Sequence, residues 1–352
     1  RLSREMARAG LSVTLWVDDL ARLQRLRPQL VLGQPEQMLD GFRVRLWDDA
    51  APLGYHPAQL VIEAFACRMP DAMLERMAQT HPRPAWINLD YLTAESWARD
   101  THGLPSPHPR FPLTQYFFFP GFAPGSGGLL READIATRHA ALDVQGREAF
   151  LARAGVSVPR DTLLVSLFCY PQAPLEALLD AMRLGPRVLC LIPEGVTNET
   201  ISRLIGAEAV PGTVRTFDQM TLRVIPFLEP DDYDSLLRCC DLNFVRGEDS
   251  AVRAHWAERP FVWQLYPQEE DTHQAKLQAF LTDFCVGLSS VDELCVRNVW
   301  QAWNGEVAAS LDWATLYQAL PRLVEHYRHW SAKVAAAGEL SRAIVEFAAK
   351  IR

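Results

Sequence analysis

Hydrophobic positions along this chain fall into short apolar runs separated by stretches of helical spacing. The runs at 12–17, 44–46, 60–63 and 85–89 predict buried strands, with a helix over 71–80 between the last two. A second series repeats the alternation. Its strands are predicted at 162–169, 187–192, 222–226, 242–245 and 261–264, and its helices at 174–182, 198–205, 231–238 and 252–258. An almost wholly helical tail follows from 314 to 352. Strands alternating with helices imply βαβ units and parallel sheets. The expected fold is therefore α/β, with two Rossmann-like, doubly wound domains over 1–155 and 156–335. They should face a cleft at the carboxyl ends of their strands, where such folds bind ligands. A C-terminal helix, 336–352, is expected to pack back across the domains onto the first.

The opening residues have their own pattern. Leu2 and Met6 stand one helical turn apart, and Gly10 ends that helix before the strand at 12–17. A helix feeding a strand in a βαβ series is expected to follow an earlier strand, so a first strand and its loop are expected ahead of residue 1. From 101 to 128 the rhythm breaks at Gly103-Leu-Pro-Ser-Pro-His-Pro109 and Pro124-Gly-Ser-Gly-Gly128, which read as long loops of the kind that carry function. Tyr116-Phe-Phe-Phe119 between them reads as a buried strand. Gly125-Ser-Gly-Gly128 has neither a Walker lysine nor the GxGxxG register, so it is not expected to hold phosphate in those ways.

Length and composition narrow the functions. At 352 residues with 49% hydrophobic and 22% charged positions, the chain has the composition of an ordinary globular protein and a length suited to two domains. A formal charge of −8 argues against a nucleic-acid partner. No apolar run approaches the roughly 20 residues of a membrane span. Seven cysteines without CxxC spacing, set in apolar surroundings such as those of Cys169 and Cys190, read as reduced buried thiols of a cytoplasmic protein. No metal is expected. Asp18 and Asp19 read as solvated or helix-capping residues, and Glu269-Glu-Asp271 with His273 as the solvated start of a helix.

The densest chemical signal is Asp241-Leu-Asn-Phe-Val-Arg246-Gly-Glu248-Asp249-Ser250. A strand ends at Arg246, Gly247 allows a sharp turn, and acid and hydroxyl residues open a helix. Free helix amides with Arg246 and the Ser250 hydroxyl would suit a diphosphate. Equally, Asp249 or Ser250 could merely cap the helix while Arg246 pairs with Glu248. Phe168 and Tyr170 end the first strand of the second series, where they would serve a base, a phosphate or simply the core. Tyr266 follows a later strand at the equivalent end. In the first half, Trp86-Ile-Asn-Leu-Asp90 runs from a strand into polar residues, with Glu95 and the loop histidine His108 beyond. A lone loop histidine is more often exposed than catalytic.

Several stretches carry a resemblance: Leu15-Trp-Val-Asp-Asp19, Trp86-Ile-Asn-Leu-Asp-Tyr-Leu-Thr-Ala-Glu-Ser-Trp97, His102-Gly-Leu-Pro-Ser-Pro-His108, Phe118-Phe-Pro-Gly-Phe122, Gly127-Gly-Leu-Leu-Arg131, 241–250 and Gln264-Leu-Tyr-Pro-Gln268. Together they span most of the chain, which resembles the EarP family, the protein-arginine rhamnosyltransferases of bacterial elongation factor P. The resemblance implies a GT-B glycosyltransferase that moves L-rhamnose from dTDP-β-L-rhamnose to an arginine guanidino nitrogen, with inversion and without a cofactor. The modified elongation factor would then rescue ribosomes stalled at polyproline. The resemblance also implies that the second half binds the donor through Phe168, Tyr170, Arg246, Glu248, Asp249, Ser250 and Tyr266, and that the first half binds the acceptor, with Asp90 and Glu95 as candidates. The family's segment Asp-Asn-Tyr-Gly-Asp-Ile-Gly, whose aspartates include the proposed general base, lies ahead of the Arg-Leu that opens this sequence. The catalytic residue is thus unassigned within 1–352. Other readings that stay open are a GT-B enzyme with a different nucleotide sugar or acceptor, and a non-catalytic two-domain protein closing on a small ligand.

Overall fold

The structure, a computed structural model, describes residues 1–47, 55–65, 67–196, 199–206, 209–267, 272–306 and 309–352. It divides into two compact units, Arg1–Ala133 with Val334–Arg352, and Asp134–Lys333.

The first unit contains α1 (Leu2–Arg8), β1 (Thr14–Val17), α2 (Leu20–Leu26), β2 (Glu36–Leu39), β3 (Phe42–Leu46), β4 (Leu60–Ala64), α3 (Asp71–Gln79), β5 (Ala85–Leu89), α4 (Ser96–Thr101), β6 (Pro105–Pro107) and β7 (Thr114–Phe118). Its strands form two sheets, β1-β3-β2 and β4-β5-β7-β6. Within these, β1 and β3 run parallel, as do β4, β5 and β7, whereas β2 and β6 are antiparallel edges. Gly10 stops α1 as expected, at a φ of 87° that a glycine adopts without strain. Asp19 caps α2 by accepting from the Arg22 amide at 3.0 Å, the capping role expected of that pair of acids.

The segment 101–128 is not simply loop. It supplies β6 and β7, and β7 ends in the buried Phe118. Proline is tolerated in β6 because that strand is an edge and pairs on one side only. A Cβ at Gly127 would stand 2.5 Å from the Phe118 ring, and one at Gly128 would stand 2.4 Å from the Gly338 carbonyl. These glycines therefore permit close packing.

The second unit contains α5 (Ile135–Ala140), α6 (Val144–Arg153), β8 (Leu163–Leu167), α7 (Leu175–Leu184), β9 (Val188–Pro193), α8 (Glu199–Ile205), β10 (Val214–Phe217), β11 (Met220–Ile225), α9 (Pro230–Cys239), β12 (Leu242–Arg246), α10 (Gly247–Ala257), β13 (Phe261–Gln264), α11 (Thr272–Phe284), α12 (Ser290–Trp303) and α13 (Trp313–Ala337). One six-stranded sheet has the order β10-β11-β9-β8-β12-β13, and only β10 is antiparallel. The chain starts at β8, works outward through β9 and β11, then returns to the other side of β8 as β12. The switch point of this doubly wound sheet thus lies between β8 and β12.

The division falls at Ala133/Asp134 rather than near residue 155. The apolar face of α6, through Phe150 and Leu151, is buried with Leu164, Leu189, Leu191 and Ile225 of the second sheet and Leu236 of α9. The last helix, α14 (Leu340–Ile351), belongs to the first unit, where Leu340, Ile344 and Ala348 bury with Met6, Ile87 and Phe118. Among the described residues no helix is long and apolar enough to cross a membrane.

Candidate active site

In the second unit the signal centred on Arg246 sits at the switch point. Arg246 is the last residue of β12 and Phe168 follows β8, so both lie at carboxyl ends of adjacent central strands. The Arg246 guanidinium lies over the Phe168 ring, 4.2 Å from its centroid, and over the Tyr170 ring at 4.9 Å. Its Nη1 donates to the Cys169 carbonyl oxygen at 2.7 Å. Among the described residues it forms no ion pair, with Glu248 or any other carboxylate. A guanidinium held by two π faces and one neutral oxygen keeps its charge available for an anion.

The helix behind it begins earlier than its periodicity predicts, at Gly247 rather than 252. Arg246 is the N-cap, and its own side chain makes no capping hydrogen bond. Gly247 is required here. Its φ is 64°, and a Cβ there would stand 2.7 Å from the Tyr170 hydroxyl. The Trp263 indole donates to the Gly247 carbonyl at 2.7 Å, pinning the turn. Ser250 is buried and turned onto its own helix, donating to the Arg246 carbonyl and accepting from the Arg246 amide. It therefore positions Arg246. Glu248 and Asp249 occupy the first turn, and Asp249 is exposed.

Tyr170 is held from two sides. Its amide donates to the Gln264 side chain at 2.8 Å, and its ring meets Tyr266 edge-on at 5.4 Å. Burial raises the Tyr170 hydroxyl above the ordinary phenol range, with Arg246 pulling the other way. Tyr266 is 66% exposed. Phe168 rests edge-on against Tyr233 of α9 at 5.8 Å. The structure thus brings Phe168, Tyr170, Arg246, Ser250 and Tyr266 into one cluster and leaves Asp249 at its surface. Sequence reasoning missed the Cys169 carbonyl, Trp263 and Gln264 as positioning groups. The sequence signal for the last two was their place at the end of β13, the strand beside β12.

In the first unit Asp90 follows β5 and Glu95 precedes α4. Asp90 accepts from the Tyr91 amide at 2.7 Å and from the Asn88 amide nitrogen at 3.5 Å. Glu95 accepts from the Thr93 hydroxyl at 2.9 Å ahead of α4, and among the described residues the two acids share no hydrogen-bond partner. A third acid escaped notice in the sequence. Glu63 of β4 is 7% exposed and accepts from the Trp86 indole at 3.2 Å and the Gln115 amide at 2.8 Å. Burial raises its carboxyl above the usual range, partly offset by those donors. His108 is a turn residue. Its Nδ1 accepts from the Arg110 and Phe111 amides at 3.3 and 3.2 Å. The acids at 269–271 lie outside the described residues. His273 is buried on α11.

Comparison with known proteins bears on this geometry. A family model described as Elongation-Factor P (EF-P) rhamnosyltransferase EarP matches residues 1–349. The protein-arginine rhamnosyltransferase of Pseudomonas putida is 41% identical over 352 residues, covering 99% of this chain and 93% of the relative. That of Pseudomonas aeruginosa is 40% identical over 353 residues with the same coverage. A solved structure described as the structural basis for EarP-mediated arginine glycosylation of translation elongation factor EF-P superposes with a TM-score of 0.65 at 31% identity, covering 96% of this chain and 98% of that one.

Proposed function

The chain belongs to the EarP family, protein-arginine rhamnosyltransferases with a GT-B α/β fold, and from that premise we propose that it transfers L-rhamnose from dTDP-β-L-rhamnose to one arginine of elongation factor P in the cytoplasm, which activates that factor at polyproline stalls. The observation that carries the donor assignment is the Arg246 guanidinium at the β8/β12 switch point, unpaired with any carboxylate among the described residues and set at the N-terminus of α10. A diphosphate there receives charge-assisted hydrogen bonds from Arg246 and the favourable end of a helix dipole. Phe168 and Tyr170 flank the same cation and offer ring faces and a hydroxyl to the thymine or the phosphates. Tyr266 reaches toward the diphosphate from the neighbouring strand end. Glu248 and Asp249 lie within reach of the deoxyribose, and Ser250 fixes the turn from which Arg246 projects.

The chemistry asks for inversion in one displacement. As the guanidino nitrogen attacks the anomeric carbon, the C–O bond to dTDP breaks, and the departing diphosphate gathers negative charge that Arg246 and the helix amides stabilise. Guanidinium has a pKa above about 12 and delocalised lone pairs, so the nitrogen must be oriented and must lose a proton as the C–N bond forms. A carboxylate meets that need. Asp90 and Glu95 of the first unit are assigned to acceptor contact, and no residue within 1–352 is assigned as the base. The reaction requires no metal in this scheme, because the positive charge beside the leaving group comes from the protein. Calorimetric titration of the protein with dTDP tests the donor site. Saturable binding that weakens in Arg246→Ala supports it, and undiminished binding in that variant contradicts it.

A further inference from the structure

At the carboxyl ends of β4 and β5 two aromatic rings stand together on the surface of the first unit. Phe65 is 51% exposed and Tyr91 49% exposed, with ring centroids 5.0 Å apart. Phe65 has a φ of 56°, a strained left-handed conformation that a bulky residue rarely adopts. Its amide is tied to the Leu89 carbonyl at 2.9 Å, which fixes the strained turn against β5. The strand end that leads into Tyr91 also carries hydrogen-bond acceptors. The Asp90 carboxylate is one, and the Asn88 side-chain oxygen, on a residue 6% exposed, is buried without a hydrogen-bond partner. Asn88 and Asp90 are two residues apart and so share a face of the strand end. Asn88 is also in register with Glu63, whose buried carboxylate is held by neutral donors and, among the described residues, by no cation.

We propose that Phe65 and Tyr91 are the platform on which the acceptor arginine lies, with Asp90 and the Asn88 oxygen accepting from its guanidinium. This deepens the reading of the chain as an arginine-modifying enzyme and rests on it. A guanidinium presents five N–H donors in a plane, accepts nothing, and stacks on aromatic faces. The seat is its complement, with two ring faces, a carboxylate and an unpartnered amide oxygen, and with the Glu63 carboxylate one strand away adding negative potential. The strain at Phe65 holds its ring at the surface beside Tyr91, where neither ring contributes to a buried core cluster.

The test is steady-state transfer by the full-length enzyme with elongation factor P varied at saturating dTDP-rhamnose, alongside calorimetry of dTDP and thermal melting. Phe65→Gly accepts the same φ without strain, so it removes the ring without unfolding the turn. Phe65→Gly and Tyr91→Ala are each expected to raise the KM for the acceptor about five- to tenfold. The dTDP affinity should stay within about twofold, and the Phe65→Gly melting temperature should not fall. Tyr91→Phe keeps a ring and should keep the wild-type KM. Unchanged acceptor KM in both ring-removing variants overturns the platform, as does a parallel loss of dTDP affinity. Wild-type enzyme that transfers no rhamnose to elongation factor P overturns the parent reading instead.

Discussion

Arg246 donates from its guanidinium to the carbonyl oxygen of Cys169 at 2.7 Å, a bond that ties the end of β12 to the end of β8. It orients the cation across the Phe168 and Tyr170 rings and leaves no described carboxylate to neutralise it. Replacing Arg246 by Ala should weaken dTDP binding by about 1.5–3 kcal/mol, the range for a charge-assisted contact. Arg246→Lys should recover only part of that loss, because an ammonium cannot bond Cys169 and stack on both rings in one plane. Isothermal titration of both variants measures the two steps.

Gly247→Ala should be costly for two separate reasons. The φ of 64° is strained for alanine, and its Cβ would meet the Tyr170 hydroxyl at 2.7 Å. We expect about 1–3 kcal/mol of lost stability in urea unfolding. The dTDP affinity should fall further in Gly247→Ala than in a surface variant of equal stability, because Tyr170 has to move.

Charge reversal at Asp90 separates the two substrates. Asp90→Lys removes an acceptor and adds a cation beside the place assigned to a guanidinium. The rate of modification at low acceptor concentration should drop about tenfold or more, with dTDP binding unchanged. Equal loss of both activities would assign Asp90 to the fold rather than to acceptor contact.

The strands β8 and β12 were legible because both are continuous apolar runs that end on distinctive residues, Phe168 and Arg246, whereas their adjacency in the sheet was not. The start of α10 was not. Gly247 reads as a turn in sequence, yet its positive φ lies at the first helical position, and the Trp263 bond that secures it comes from another strand. Residues 134–155 were expected in the first domain but belong to the second unit, since an apolar helix face does not say which sheet will cover it. Phe65 was invisible as well, because left-handed backbone at a phenylalanine has no sequence signature. The cysteines are free thiols, six of them buried as expected, whereas Cys67 is exposed.

That thiol pattern gives a direct chemical check. Brief alkylation of the folded protein should add one label, at Cys67, and denaturation should expose the other six. Burial and nearby Glu63 hold the Cys67 thiol above its usual range, so labelling should be slow near neutral pH and quicken as pH rises.

Buried His255 sets a term in the acid stability of the second unit. Burial lowers its pKa to about 4, with the Ala251 carbonyl partly opposing the shift. In the unfolded chain the imidazole takes its proton near 6.5, in the fold only near 4. Between those values the unfolded state binds the extra proton, so stability falls as pH falls from about 6.5 to 4, by an amount on the order of 3 kcal/mol. His255→Leu should flatten that part of the urea-unfolding profile measured between pH 7 and pH 4. An unaltered slope would remove His255 as its cause.

The central claim is the transfer itself. Full-length protein incubated with dTDP-β-L-rhamnose and elongation factor P should leave the acceptor with one added deoxyhexose, mapped by tandem mass spectrometry to a single arginine, and Arg246→Ala should suppress that product at low donor concentration. An acceptor of unchanged mass, or sugar found on residues other than arginine, would contradict the account.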